Sequence, residues 1–320
     1  MSASFKTAAR EGGTLIVMTT DIDIAGAVAF MATHARVLDR RRLDLLLGRG
    51  APGAVLAALD AYRNEDGGYG SGIEPDFRSP ESQPVAAMHA LEVLEEVAAT
   101  GVTTARSVEL CDWLDRCTLA DGGLPLTLPV TASAGCAPLW LGADHETSSL
   151  QMTAQVAANA HLVARRDAAV ARHPWLGRAT SWCFDAIARL DAAPEAHEYM
   201  FAVRFLDAAA ETDPRAAELL ERLARMLPPD GVVPVAGGAA DEALRPLDLA
   251  PRGDGPARRL FATELVAAEV DRLARNQQAD GGWRVDFDNA SPAAALEWRG
   301  YATVAAIRTL RTAGTVDAGR

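Results

Sequence analysis

The chain has 320 residues, of which 49% are hydrophobic, and its 31 basic and 43 acidic residues give a net charge of −12 at pH 7. An acidic surface repels phosphate groups, so we expect neither nucleic acid nor an anionic membrane as a partner. No apolar run is long enough to predict an integral membrane segment. The four cysteines lack C-x-x-C spacing, which indicates free thiols and a cytoplasmic protein.

In chain order, we interpret residues 1–22 as a flexible leader and residues 23–320 as one domain, almost entirely helical. Three segments, 84–94, 150–163 and 301–310, are apolar around most of their circumference, which predicts helices buried between neighbours. Half-buried helices alternate with them. The clearest is the stripe Ala216, Leu219, Leu220, Leu223 and Leu227. The strand signals, at 124–130 and 232–237, are short and interrupted by Pro or Gly.

An internal repeat organises the chain. The turns NEDGGYG (64–70), ADGGLPL (120–126) and QADGGWRV (278–285) each precede one of the buried helices, and PDGVVPV (229–235) is a degenerate copy. The long stretch of sequence between the second turn and the degenerate copy predicts a further unit near residue 175, whose turn no longer has the D-G-G sequence. Units of this length hold two helices each. Stacked helical hairpins form an open solenoid or a closed ring, and the lack of polar capping repeats favours the ring.

Two of the turns carry a family resemblance. RNQQADGGW (275–283) resembles the Q-x-x-D-G-G-W/F turn of the prenyltransferase and squalene-oxidase repeats, and AYRNEDGGYG (61–70) is similar. These repeats build the α/α toroid of squalene-hopene cyclases, of the β-domains of class II terpene cyclases and of protein prenyltransferase β-subunits. The resemblance implies an all-α fold, a single α/α toroid of about eleven or twelve helices.

The chain departs from the catalytic motifs of that family. It has no D-x-D-D acid motif, no D-D-x-x-D magnesium motif, and no Cys or His after His197 to complete the prenyltransferase zinc site. We therefore predict no metal and no other cofactor.

The segment 70–84 is the first candidate for chemistry. Glu74 and Asp76 are the candidate catalytic acids, with Arg78 beside them and Gln83 at the start of the helix. Neighbouring charges can tune a carboxyl group for proton transfer. The alternative is structural, because a helix cap paired with Arg78 would look the same in sequence.

The other candidates lie before two later helices, where a ring would bring the first and last repeats together. As substrate-binding residues we assign Arg78, Gln83, Trp140, His145, Asp286, Glu297, Trp298 and Arg299. His145 has the chemistry of a proton shuttle, but it is equally interpreted as a solvated histidine beside a helix cap. Glu297 and Arg299 are equally interpreted as salt bridges that close the ring.

Three functions remain open. The first is a terpene-cyclase-like enzyme, an acid catalyst acting on an isoprenoid or similar apolar small molecule inside the ring. The second is a non-catalytic binding or scaffold toroid. The third is a carbohydrate-active α/α-barrel enzyme with paired carboxylates. An apolar cavity would favour the first, and a polar, aromatic-lined one would favour the third.

Overall fold

The computed structural model of the protein describes residues 7–11, 14–18 and 22–313 and is mostly helical, with 57% of residues in helices. The little β-structure among these residues is two antiparallel pairs. Strand β1 (Thr7–Glu11) pairs with β2 (Thr14–Met18), and β3 (Val233–Pro234) pairs with β4 (Ala243–Leu244). The remaining residues of the expected leader lie outside the described part of the chain.

The helices follow in two runs. The first run is α1 (Ile24–His34), α2 (Val37–Leu46), α3 (Pro52–Leu59), α4 (Pro84–Ala98), α5 (Ala105–Cys117), α6 (Pro138–Leu141) and α7 (Leu150–Ala164). The second is α8 (Ala168–Ala171), α9 (Pro174–Ala188), α10 (Ala196–Ala209), α11 (Arg215–Ala224), α12 (Pro246–Leu249), α13 (Thr263–Arg275) and α14 (Pro292–Thr312). Short 3-10 helices lie at Asp60–Tyr62 and Pro256–Leu260. Within the described residues, no helix combines the length and the apolar character needed to cross a bilayer.

Hydrophobic periodicity explains both kinds of helix. In α11 the predicted stripe is buried at Ala216, Leu219, Leu220 and Leu223, while charged residues lie between these positions. Helices α4 and α7 are buried over most of their surface, as their composition predicts. Helix α14 is different, because Trp298, Tyr301 and Arg308 leave it a half-buried face. Within the predicted segment 301–310, every position is buried or half-buried.

The helices pack in an order that joins the two ends of the described chain. Helix α4 packs on α7, α7 on α10, α10 on α12, α12 on α13 and α13 on α14, and α14 in turn contacts α1 and α2. Asp23, the N-cap of α1, exchanges backbone hydrogen bonds of 2.8 Å with the side chain of Gln277 before the last glycine turn. The first and last helices are thus in direct contact.

The first two glycine turns share one hydrogen-bond pattern. Asp66 accepts hydrogen bonds from Gly68 N, from Ser82 Oγ before α4, and from Trp113 Nε1 on α5. Asp121 repeats this arrangement, since it accepts from Gly123 N, from Ser148 Oγ before α7, and from Trp182 Nε1 on α9. Each turn therefore ties two successive helices together.

The second glycine of each turn lies against an aromatic ring. A Cβ atom at Gly68 would lie 2.6 Å from the ring of Trp113, and one at Gly123 would lie 2.7 Å from the ring of Trp182. At the last turn a Cβ on Gly282 would lie 2.8 Å from the ring of Phe30 on α1. Phe30 at the beginning of the chain thus occupies the position that tryptophan takes in the two earlier units.

Candidate functional site

The segment between the first glycine turn and α4 is buried and fixed by the backbone. Ser71, with φ of 55°, and Gly72, with φ of 79°, turn the chain inward. Arg36 Nη1 then donates hydrogen bonds to the carbonyl oxygens of Gly72 and Ile73, at 3.0 and 2.9 Å. As a result Glu74 is only 3% exposed. A buried carboxyl group requires polar partners.

His89 on α4 is the partner of Glu74. Its Nε2 lies 2.8 Å from Glu74 Oε2, and its Nδ1 lies 3.4 Å from Glu92 Oε2, one helical turn further along α4. Tyr301 on α14 donates its hydroxyl hydrogen to Glu92 Oε1 at 2.9 Å. These four residues, Glu74, His89, Glu92 and Tyr301, are called the His89 cluster below. The cluster joins helix α4 to helix α14.

The cluster holds a proton on the imidazole. Burial by itself lowers the pKa of His89, but the hydrogen bonds and charges of Glu74 and Glu92 outweigh it and raise the pKa to about 9. Burial likewise works to raise the pKa of Glu92, but His89 and Arg42 outweigh it and lower the pKa to about 2. A protonated histidine therefore lies between two carboxylates at neutral pH.

Aromatic rings surround the imidazole. The ring centroid of His89 is 5.3 Å from that of Tyr301 and 6.0 Å from that of Trp298, both edge-to-face. Trp298 also packs edge-to-face against Phe287, at 5.1 Å. The guanidinium of Arg42 lies 5.4 Å from the centre of the Tyr301 ring. The cluster therefore combines charged groups with half-buried aromatic faces.

Asp76, the second predicted acid, has both carboxylate oxygens engaged. Oδ1 accepts a hydrogen bond from the backbone N–H of Ala290 at 2.8 Å, and Oδ2 accepts one from Trp298 Nε1 at 2.7 Å. Its neighbour Arg78 donates to Glu297 on α14, with Nη2 and Oε2 2.5 Å apart. Both contacts tie the first repeat to the last one. Asp76 therefore positions Trp298 next to His89.

Gln83 and Trp140 take structural positions near this segment. The Gln83 side chain bridges to Leu128, since Oε1 accepts from Leu128 N at 2.8 Å and Nε2 donates to Leu128 O at 3.1 Å. Trp140 on α6 stacks on Phe77, with ring centroids 5.5 Å apart. Both side chains hold the loop after the second turn against the buried segment.

The other predicted site residues do not take part in the contacts described for the His89 cluster. Arg299 donates to Asp280 of the last turn at 2.7 Å, a salt bridge within the last repeat, and its guanidinium lies over the ring of Phe30 on α1 at 4.4 Å. His145 is exposed, and so is Asp286. The structure therefore brings together Glu74, Asp76, Arg78, Glu297 and Trp298.

Sequence reasoning missed His89, Glu92 and Tyr301. His89 lies in an apolar helical run, where a lone histidine on its own indicates a packed or surface residue. A usable signal is the pair of ionisable residues, His89 and Glu92, placed one turn apart in the segment 84–94, which is otherwise apolar. Tyr301 carried no such signal, because its partner Glu92 is 209 residues away in sequence.

A surface groove of about 730 Å³ lies outside this cluster, at the second glycine turn. Three of its polar side chains are engaged with protein groups, since Trp182 donates to Asp121 and Arg178 forms an ion pair with Asp115. The groove thus belongs to the turn architecture, and the His89 cluster is the candidate site.

Comparison with known proteins finds a similar structure and identifies no activity. No protein-family model and no curated protein matches the sequence. The crystal structure of a protein from Actinoplanes is similar to this chain, with 17% sequence identity and a TM-score of 0.50. The match covers 98% of this chain and 93% of that one. At this identity the similarity concerns the fold alone.

Proposed function

We propose that the chain forms a single α/α toroid whose last repeat is completed by its first helix. The support is the repeated packing of glycine on aromatic rings. Phe30 on α1 meets Gly282 of the last turn as Trp113 on α5 meets Gly68 of the first. In such a ring α4, α7, α10 and α14 are inner helices, and their half-buried faces line a shared interior.

Within this ring we assign a catalytic function to the His89 cluster. The observation that carries the assignment is a buried histidine hydrogen-bonded to two carboxylates, Glu74 and Glu92, and enclosed by aromatic rings. Such an arrangement stores a proton on His89, and after that proton has passed to the substrate the neutral imidazole takes a new one from water. His89 is the general acid, and Glu74 and Glu92 hold its ring in place.

The strength of this acid points to a polar substrate. General acid–base catalysis is most efficient when the pKa of the catalytic group lies near the operating pH. A histidine with a pKa near 9 suits an oxygen or nitrogen atom, whereas protonation of an alkene requires a far stronger acid. Charged residues and aromatic faces also line the site. The function that fits best is acid–base catalysis on a hydroxylated, sugar-like molecule rather than on an isoprenoid.

Turnover by matched variants tests this function. Purified protein is incubated with a panel of glycosides, sugar acids, polyprenyl alcohols and polyprenyl diphosphates, and products are detected by mass spectrometry. We expect products from the hydroxylated compounds, and a loss of roughly 100- to 10,000-fold in turnover for H89Q and E74Q. H34Q, which changes an exposed histidine on α1, is the control and keeps full activity.

Two outcomes contradict the proposal. Product formation from the polyprenyl compounds alone would assign the interior to isoprenoid chemistry. Full turnover by H89Q, in protein whose circular dichroism spectrum matches that of the unmodified chain, would remove His89 from the reaction.

A further inference from the structure

Helix α10 leaves one face incompletely buried. Glu198, Phe201 and Arg204 follow one another at intervals of three residues and are half-buried. The other sides of the helix are buried against α7, α9, α11 and α12. In the ring proposed above, on which this inference rests, the remaining face of an inner helix points toward the axis. Arg204 is the cation on that face.

Two contacts fix the orientation of Arg204. Its Nε donates a hydrogen bond to the carbonyl oxygen of Asp248 at 2.7 Å. Its guanidinium lies over the ring of Phe201, 5.5 Å from the centroid. Among the described residues, the terminal Nη1 and Nη2 groups have no hydrogen-bond acceptor. The side chain is held in place while its two outer nitrogens remain available.

The positive charge of Arg204 also acts on Tyr301 of the His89 cluster. Burial and the charge of Glu92 raise the pKa of Tyr301, and the positive charge of Arg204 opposes that rise. Tyr301 in turn bonds to Glu92, which lies beside His89. In the proposed ring, the half-buried face of α10 with Arg204 and that of α14 with Tyr301 line the same interior, so one small molecule can contact both.

We propose that Arg204 binds an anionic group of the substrate, a carboxylate or a phosphate carried by a hydroxylated small molecule. The planar guanidinium presents paired N–H groups in the fork geometry that these anions accept. With its anion on Arg204, the molecule extends toward His89, which supplies the proton. Arg204 thus selects charged over neutral substrates.

Isothermal titration calorimetry with three probes tests the proposal. D-glucuronate carries a carboxylate, glucose 6-phosphate carries a phosphate, and glucose carries neither. We expect the unmodified protein to bind at least one charged probe, and R204Q to bind it at least about tenfold more weakly, with no change for glucose. The charged probe that loses more affinity identifies the anion.

Control variants separate charge recognition from folding. R225Q changes an exposed arginine after α11 and is expected to bind like the unmodified protein. R204K keeps the positive charge but not the fork, so its affinity lies between those of the unmodified protein and R204Q. If R204Q does not fold, R204K tests whether the guanidinium of Arg204 recognises the anion.

Equal affinity of R204Q and the unmodified protein for the charged probes would overturn the proposal. So would binding of glucose as tightly as the charged sugars, or binding of none of the three probes. The proposed function is tested separately, by the turnover of H89Q. H89Q is expected to bind the charged probe and lose turnover, so retained turnover in H89Q would overturn the catalytic assignment while leaving the binding result for Arg204 intact.

Discussion

Replacement of His89 by glutamine is expected to remove a pH-dependent part of the free energy of unfolding. The pKa of His89 rises from 6.5 to about 9 in the folded chain because Glu74 and Glu92 hold its charged form. This shift corresponds to about 3 kcal/mol. Because the folded pKa is the higher one, the stabilisation is complete below the unfolded value of 6.5. It is lost as the pH rises through about 9.

Urea unfolding at a series of pH values between about 6 and 9.5 measures this contribution. The difference in unfolding free energy between the unmodified protein and H89Q should shrink by about 3 kcal/mol across that window. H34Q is the matched control, and its difference should not change with pH in the same way. A difference between the unmodified protein and H89Q that stays constant from neutral pH to about 9.5 would refute the idea that two carboxylates hold His89 protonated.

Two further substitutions test the packing around the site. G68A is expected to destabilise the fold by about 1–3 kcal/mol in urea unfolding, because its Cβ would lie 2.6 Å from Ser82 Oγ. G53A is its control, with nothing within 4 Å, and should be neutral or stabilising; equal effects would contradict the close approach at Gly68. W298F should cost about 1–3 kcal/mol, since buried Asp76 loses its 2.7 Å hydrogen bond. An unchanged thermal midpoint for W298F would show that this bond contributes nothing.

The helices and the turns could be predicted from the sequence because their causes are local. The apolar runs at 84–94 and 150–163 need no distant partner to be recognised, and they lie in α4 and α7. The turn sequence D-G-G likewise contains its own reason, since its aspartate accepts from the second glycine two residues later. Local periodicity and turn chemistry are therefore enough to predict the helices and the repeats.

The candidate site could be predicted only in part, because its contacts are distant in sequence. Glu74 and Asp76 were found as neighbouring acids, but whether each one binds a histidine or a tryptophan depends on α4 and α14. Asp76 and Trp298 are 222 residues apart. The exposure of His145 is equally invisible in sequence, since a histidine beside a carboxylate has the same pattern when it is solvated.

The repeats themselves help to separate structural residues from functional ones. The backbone N–H groups of Leu124 and Trp283 donate to Thr153 on α7 and Thr303 on α14, so these two threonines are equivalent. Counting two residues on from each of these threonines, and matching α4 to α7 by their first helical residues, the position of His89 on α4 corresponds to Gln155 on α7 and Ala305 on α14.

Residues that serve the repeated architecture recur at equivalent positions, as Asp66 and Asp121 do, and each is fully engaged by a glycine, a serine and a tryptophan. His89 does not recur. A buried ionisable group carries a cost in free energy. The repeated architecture does not require one at this position, because α7 and α14 have no ionisable residue there. The asymmetry between repeats therefore supports a chemical role for His89 independently of its pKa.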